Sequence, residues 1–148
     1  MKKYDVSHNM PLSIELGGRF RELHFCMQNK LNQELKVLDL THEQLRLLKT
    51  VCDNPGCDQN FLAQSTERGK SAMTRIINTM VDNNLIRREQ SSADARSNLI
   101  YPTKHGSEMT IHGIKILRRF TEELFGSDED ELIKLMTMAN KFIARLKR

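Results

Sequence analysis

Thr74, Arg75 and Asn78 lie within about one helical turn of each other, and each offers a different hydrogen-bonding face. A guanidinium presents paired donors that match the two acceptors of guanine. A carboxamide sets a donor beside an acceptor, as adenine requires, and a threonine methyl can meet the methyl of thymine. Lys70 and Ser71, one turn earlier, suit phosphate contacts at a helix start. Met73, Ile76, Ile77 and Met80 interleave with these residues at helical spacing, so the polar set faces away from an apolar stripe. An ordinary solvated helix face carries the same pattern. The segment downstream separates the two readings.

Other chemistries find little support. Cys52 and Cys57 flank Asn54-Pro55-Gly56, but one Cys-x4-Cys with no second pair is a weak zinc signal. Cys26 lies two residues from His24, a spacing that points the side chains to different faces, so it is expected to be a buried small apolar residue. His8, His24, His42, His105 and His112 form no tight metal-ligand spacing. There is no glycine-rich phosphate loop, no nucleophile elbow and no carboxylate pair assignable to one pocket. The expectation is a protein that is not an enzyme and holds no cofactor or metal. Three cysteines without a secretory signal fit free thiols in a reducing compartment.

Charge is unevenly spread. The net charge is +4, and the pI is near 9.1. Between Glu67 and His105 seven Lys/Arg face four acids, a local +3, whereas Glu122 to Glu131 holds six acids and no base. A surface facing an anionic partner requires such a polarity. A chain of 148 residues, 39% hydrophobic, is one domain's worth and can bury a core, which a partner subunit is expected to complete. No run approaches the ~20 apolar residues of a membrane span, and MKKYDVSHN has no apolar leader core, so a cytoplasmic protein is expected.

Helices must position these residues. Leu16, Phe20, Leu23, Met27, Leu31 and Leu35 predict an amphipathic helix over 12–35. Thr41 with Gln44 forms a capping box and Leu40 with Leu45 a hydrophobic staple, opening a helix over 42–53 that the Asn-Pro-Gly turn ends. A short helix over 58–66 is expected to turn Phe61, Leu62 and Ser65 inward. The basic helix then runs to about Asn83. Two helices joined by a tight glycine-containing connection, the second basic at its start, match a helix-turn-helix, as any small helical hairpin also would until the segment downstream is read. Further helices are expected over 103–125, on Met109, Ile114, Leu117, Phe120 and Leu124, and over 127–146, with Ser127 and three acids at its start.

Between them, LIRREQSSADARSNLIYPTKHG predicts a β-hairpin: Leu85 to Glu89 and Asn98 to Tyr101 flank a polar tip carrying Asp94 and Arg96. Arg87 and Arg88 alternate along one strand, so at most one of them can face a duplex. Arg88, Asp94, Arg96, Leu99, Thr103 and Gly106 stand in a pattern that resembles the MarR family of winged helix-turn-helix regulators. The resemblance extends back through Thr74 and Arg75, Leu62 and Ala63, and LTHEQLRLLKTV, covering residues 40–106 in register. It departs at Thr66, Arg68, Asn84 and Ala95. Asn tolerates the left-handed conformation of a helix end, so Asn84 is a mild change.

The expected fold is mainly α with a small β-hairpin: a single domain, 1–148, with a winged-helix lobe over 36–102 and dimerisation helices over 10–35 and 103–148. The resemblance implies a homodimeric regulator that binds double-stranded DNA at a pseudo-palindromic operator, and release by a small-molecule effector. Lys70, Ser71, Thr74, Arg75, Asn78, Arg88 and Arg96 are its expected DNA contacts, with Arg96 entering the minor groove. Asp94 is expected to shape the wing through an arginine such as Arg88 or Arg96, and Phe20, His24 and Leu45 are candidate effector-pocket residues. Some members of the family sense peroxide through a thiol early in the first helix; Gly17 holds that position here. The alternative reading is a winged-helix module that binds a partner protein instead of DNA.

Overall fold

The computed structural model describes residues 11–66, 69–93 and 97–147. His8, Arg68, Asp94, Ala95 and Arg96 lie outside them. The elements run α1 (Leu12–Leu35), a 3-10 turn (Lys36–Leu38), α2 (His42–Asp53), β1 (Cys57–Asp58), α3 (Gln59–Thr66), α4 (Lys70–Asp82), β2 (Ile86–Gln90), β3 (Asn98–Pro102), α5 (Lys104–Phe125) and α6 (Glu129–Leu146). The fold is mainly helical, with one three-stranded antiparallel sheet ordered β1-β3-β2. β3 pairs on one side with β2, Arg88 opposite Ile100, and on the other with β1, Cys57 opposite Ile100. No helix among the described residues is long and apolar enough to cross a membrane.

Local chemistry accounts for most boundaries. Thr41 Oγ1 accepts from the Gln44 amide at 3.1 Å while Gln44 Oε1 accepts from the Thr41 amide at 2.9 Å, the expected capping box. Asp58 Oδ1 accepts from the Phe61 amide at 2.8 Å and so starts α3. Asn84, at φ 55°, takes the left-handed conformation after α4. There the Leu85 amide bonds back to the Met80 carbonyl at 2.9 Å. The N-cap of α6 is Asp128 rather than Ser127: its carboxylate accepts from the Glu131 amide at 3.1 Å.

The core lies in the winged-helix lobe. Leu35, Leu45, Leu48, Val51, Leu62, Met73, Ile77, Met80, Ile86 and Ile100 are all buried. From α1, only Leu31 and Leu35 are buried, and α6 buries nothing. Leu12, Ile14, Phe20 and Phe25 on α1 and Ile133, Met136 and Met138 on α6 are exposed.

α5 docks through small residues rather than through the expected apolar face alone. Gly106, Thr110, Gly113 and Phe120 are its buried positions. A Cβ on Gly106 would stand 1.9 Å from the Leu85 carbonyl oxygen, and one on Gly113 would stand 2.4 Å from Leu45 Cδ1. Thr103 fastens the same corner: its amide donates to the Leu85 carbonyl at 3.1 Å. Its hydroxyl proton is shared between the carbonyls of Asn84, at 2.6 Å, and Leu85, at 3.1 Å, and its Oγ1 accepts from the Gly106 amide at 2.9 Å.

Three further expectations change. Phe61 and Ser65 are exposed; in this eight-residue helix Leu62 is the residue turned into the core, with Ala63 packed beside it. Cys26 is exposed, because it sits off the edge of the stripe of Met27, Leu31 and Leu35 that meets the core. Strand β1 was not expected at all.

Candidate nucleic-acid interface

α4 begins at an exposed Gly69 with no side-chain cap, leaving its first amides open at the surface. Met73, Ile77 and Met80 are buried beneath it, and the opposite face carries Lys70, Ser71, Thr74, Arg75 and Asn78, all exposed. The periodicity therefore oriented the helix correctly. These five side chains share one face.

Neighbouring elements hold two of them. Gln59, the first residue of α3, donates from Nε2 to Thr74 Oγ1 at 2.5 Å, while the Thr74 hydroxyl donates to the Lys70 carbonyl at 2.9 Å. With its hydroxyl engaged twice inside the protein, exposed Thr74 is left with its methyl as the group free for an outside contact. Arg88 on β2 donates from Nη2 to Asn78 Oδ1 at 2.6 Å, tying the hairpin to α4. Sequence reasoning missed Gln59, whose position at a helix start gave no sign that it reaches a residue fifteen places on.

The two hairpin arginines separate as their alternation predicted. Arg87 pairs with Glu89 and lies over the Tyr101 ring, 4.8 Å from its centroid. Arg88 lines instead a polar groove of about 400 Å³, together with Asp58, Gln59, Asn60 and Asn98. Hence one strand sends Arg87 to bind the hairpin itself and Arg88 toward α4. Asp94 and Arg96 belong to the tip outside the described residues.

The three candidate effector-pocket residues occupy separate settings. Phe20 packs edge-on against Phe142 of α6, ring centroids 6.2 Å apart. Leu45 is a core residue beneath Gly113. His24 lines a polar cleft of about 390 Å³ with Gln28, Asn32, His42 and Arg46, which includes neither Phe20 nor Leu45. In that cleft the His42 amide donates to Asn32 Oδ1 at 2.7 Å, and His42 Nδ1 meets Gln28 Oε1 at 2.9 Å. Burial, then the positive charge of Arg46 and His24, pushes the His42 imidazole below its ordinary pKa against an opposing pull from Glu43.

All three cysteines are free thiols. Cys52 Sγ lies 3.4 Å from Thr110 Oγ1, and burial pushes the Cys57 thiol up. No group of three or more His, Cys, Asp or Glu able to hold a metal occurs among the described residues.

Comparison with known proteins places this geometry. The MarR family model matches residues 40–97. Transcriptional regulator HosA of Escherichia coli is 29% identical over 108 residues, spanning 71% of this chain and 80% of HosA. A crystal structure of MarR is similar at TM-score 0.71 and 25% identity, covering 94% of this chain and 99% of that one. A mutant MarR from E. coli, crystallised with operator DNA, reaches TM-score 0.82 at 21% identity over 92% of this chain and 99% of its own. The S. aureus MepR–DNA complex reaches 0.81 at 22%, over 87% and 96%. The family model, the HosA similarity and the shared winged-helix fold agree: residues 40–97 match the MarR family, and the chain around them has the winged-helix fold of the MarR structures.

Proposed function

We propose that the protein is a homodimer that binds a pseudo-palindromic DNA operator, α4 entering the major groove and the hairpin tip reaching the adjacent minor groove. The observation that carries this reading is the exposed face of Lys70, Ser71, Thr74, Arg75 and Asn78, raised on a buried stripe and braced by Arg88. In this arrangement Arg75 and Asn78 read base edges, Thr74 meets a thymine methyl, and Lys70 and Ser71 hold phosphates. Arg96 enters the minor groove, with Asp94 shaping the wing around it. Structural neighbours of the same fold crystallised with DNA support DNA binding.

One helix-turn-helix reads little sequence, and two must stand about 34 Å apart to read two half-sites. The exposed apolar residues of α1 and α6 supply the surface that a second copy would cover. Control by a small molecule, which the resemblance implies, is supported by a cleft of about 480 Å³ between α2 and α5, where Lys115, Arg118 and the Lys49–Asp53 pair rim Ile111 and Ile114.

The test selects genomic DNA on the purified protein and repeats the selection with added organic anions. Recovery of two-fold related half-sites, with a sedimenting species of twice 17.2 kDa, is the expected result. A monomer with no preferred DNA overturns the proposal and leaves the partner-protein reading in its place.

A further inference from the structure

A carboxamide on a recognition helix can face DNA in two ways, since rotation by half a turn exchanges its oxygen for its NH2 group. Asn78 is exposed, and nothing in its own helix chooses between them. The choice comes from β2. Arg88 Nη2 donates to Asn78 Oδ1 at 2.6 Å. A guanidinium has only donors, so the flipped amide would set NH2 against N–H and lose the bond.

We infer that Arg88 is a positioning residue that fixes the Asn78 amide with its Nδ2 donor turned to the DNA, so that this site of the recognition helix selects bases offering a major-groove acceptor. The inference rests on the DNA-binding reading above and deepens it. Guanine and adenine present N7, thymine presents O4, and cytosine presents only its N4 donor in that groove. Cytosine is therefore the base excluded on the contacted strand. Gln59 acts alike on Thr74, engaging its hydroxyl and leaving the methyl as the group free for a base. Two of the base-facing side chains are thus set in place before DNA arrives, from two different elements, α3 and β2.

The experiment uses the full chain and the operator recovered by selection. Each purine of a half-site is replaced in turn by its 7-deaza analogue, which removes N7 and little else, and each thymine by 5-methyl-2-pyrimidinone, which removes O4. For the natural protein, the position met by Asn78 should lose affinity by about tenfold, the scale of one good base contact, beside any guanine that Arg75 takes through N7. Asn78→Ala should abolish sensitivity at that position alone. Arg88→Met should reduce it to within about twofold and admit cytosine there, because the freed amide can offer either face. Arg88→Lys, whose ammonium is also only a donor, should keep the preference.

A simple phosphate contact by Arg88 predicts something else: uniform weakening on all sequences, a shallower salt dependence, and unchanged deaza sensitivity in Arg88→Met. That result overturns the inference while leaving DNA binding intact. Failure of the natural protein to bind any DNA selectively overturns the functional reading, and this one with it.

Discussion

Gly106→Ala should be among the most damaging single-methyl changes available to this chain. The new Cβ would stand 1.9 Å from the Leu85 carbonyl oxygen and 2.8 Å from its carbon. Both are backbone atoms, so no rotamer change relieves the clash and the first turn of α5 must lift. Lifting it breaks the bonds from the Thr103 amide and hydroxyl to the same carbonyl. Overpacking of this kind costs about 1–3 kcal/mol, and two partly buried hydrogen bonds add about 2 kcal/mol. Alanine returns up to about 1 kcal/mol in helix propensity. The net loss is about 2–4 kcal/mol, which shifts a urea midpoint down by roughly 1–2 M for a protein of this size. Gly17→Ala is the control: it lies in α1 with nothing within 4 Å of a new Cβ, and should be neutral or slightly stabilising. Both are compared with the natural chain at one protomer concentration, because association shifts apparent stability. A Gly106→Ala midpoint equal to the natural one would refute the close contact as described.

Stability should fall as the solution is acidified through the histidine range. The folded-state pKa of His42 lies below 6.5, so the unfolded chain takes up its proton first, and stability present above pH 6.5 is lost as pH falls toward the folded value. His42→Gln should flatten the urea-midpoint profile between about pH 7 and 5; an unchanged slope would assign the acid sensitivity elsewhere. Arg75→Ala should relax base preference in the half-site and cost about 1–3 kcal/mol, whereas Lys70→Ala should weaken all DNA alike and flatten the salt slope. Identical behaviour of the two variants on specific and non-specific DNA would show that α4 is misassigned. Arg96→Ala should weaken operator binding without altering dimerisation, and Asp94→Ala should have little further effect in that background; additive losses would show that the two residues are not partners.

Elements governed by local rules were legible in the sequence. α1 carries a six-residue apolar stripe, and the structure returns Leu12–Leu35 for the predicted 12–35. Thr41 with Gln44 marked the start of α2, and the buried stripe of α4 turned its polar face outward as its spacing required. What escaped depends on contacts between distant segments. β1 has two residues, too few to show any period, and it exists because Cys57 and Asp58 meet β3. The weight carried by Gly106 and Gly113 was hidden, since a glycine records only that a side chain is missing, not what approaches it. The bonds from Gln59 to Thr74 and from Arg88 to Asn78 join separate elements. Spacing within a single element cannot announce them.

The corner where Thr103 and Gly106 grip Leu85 also makes the hairpin a lever with its fulcrum on α5. β2 extends five residues from that fulcrum, an arm of about 17 Å at the usual rise per residue. If α5 tilts by about 10°, the far end of the arm sweeps about 3 Å, the full length of a hydrogen bond. A modest rotation of α5 would thus be enough to lift the end of the hairpin out of bonding range.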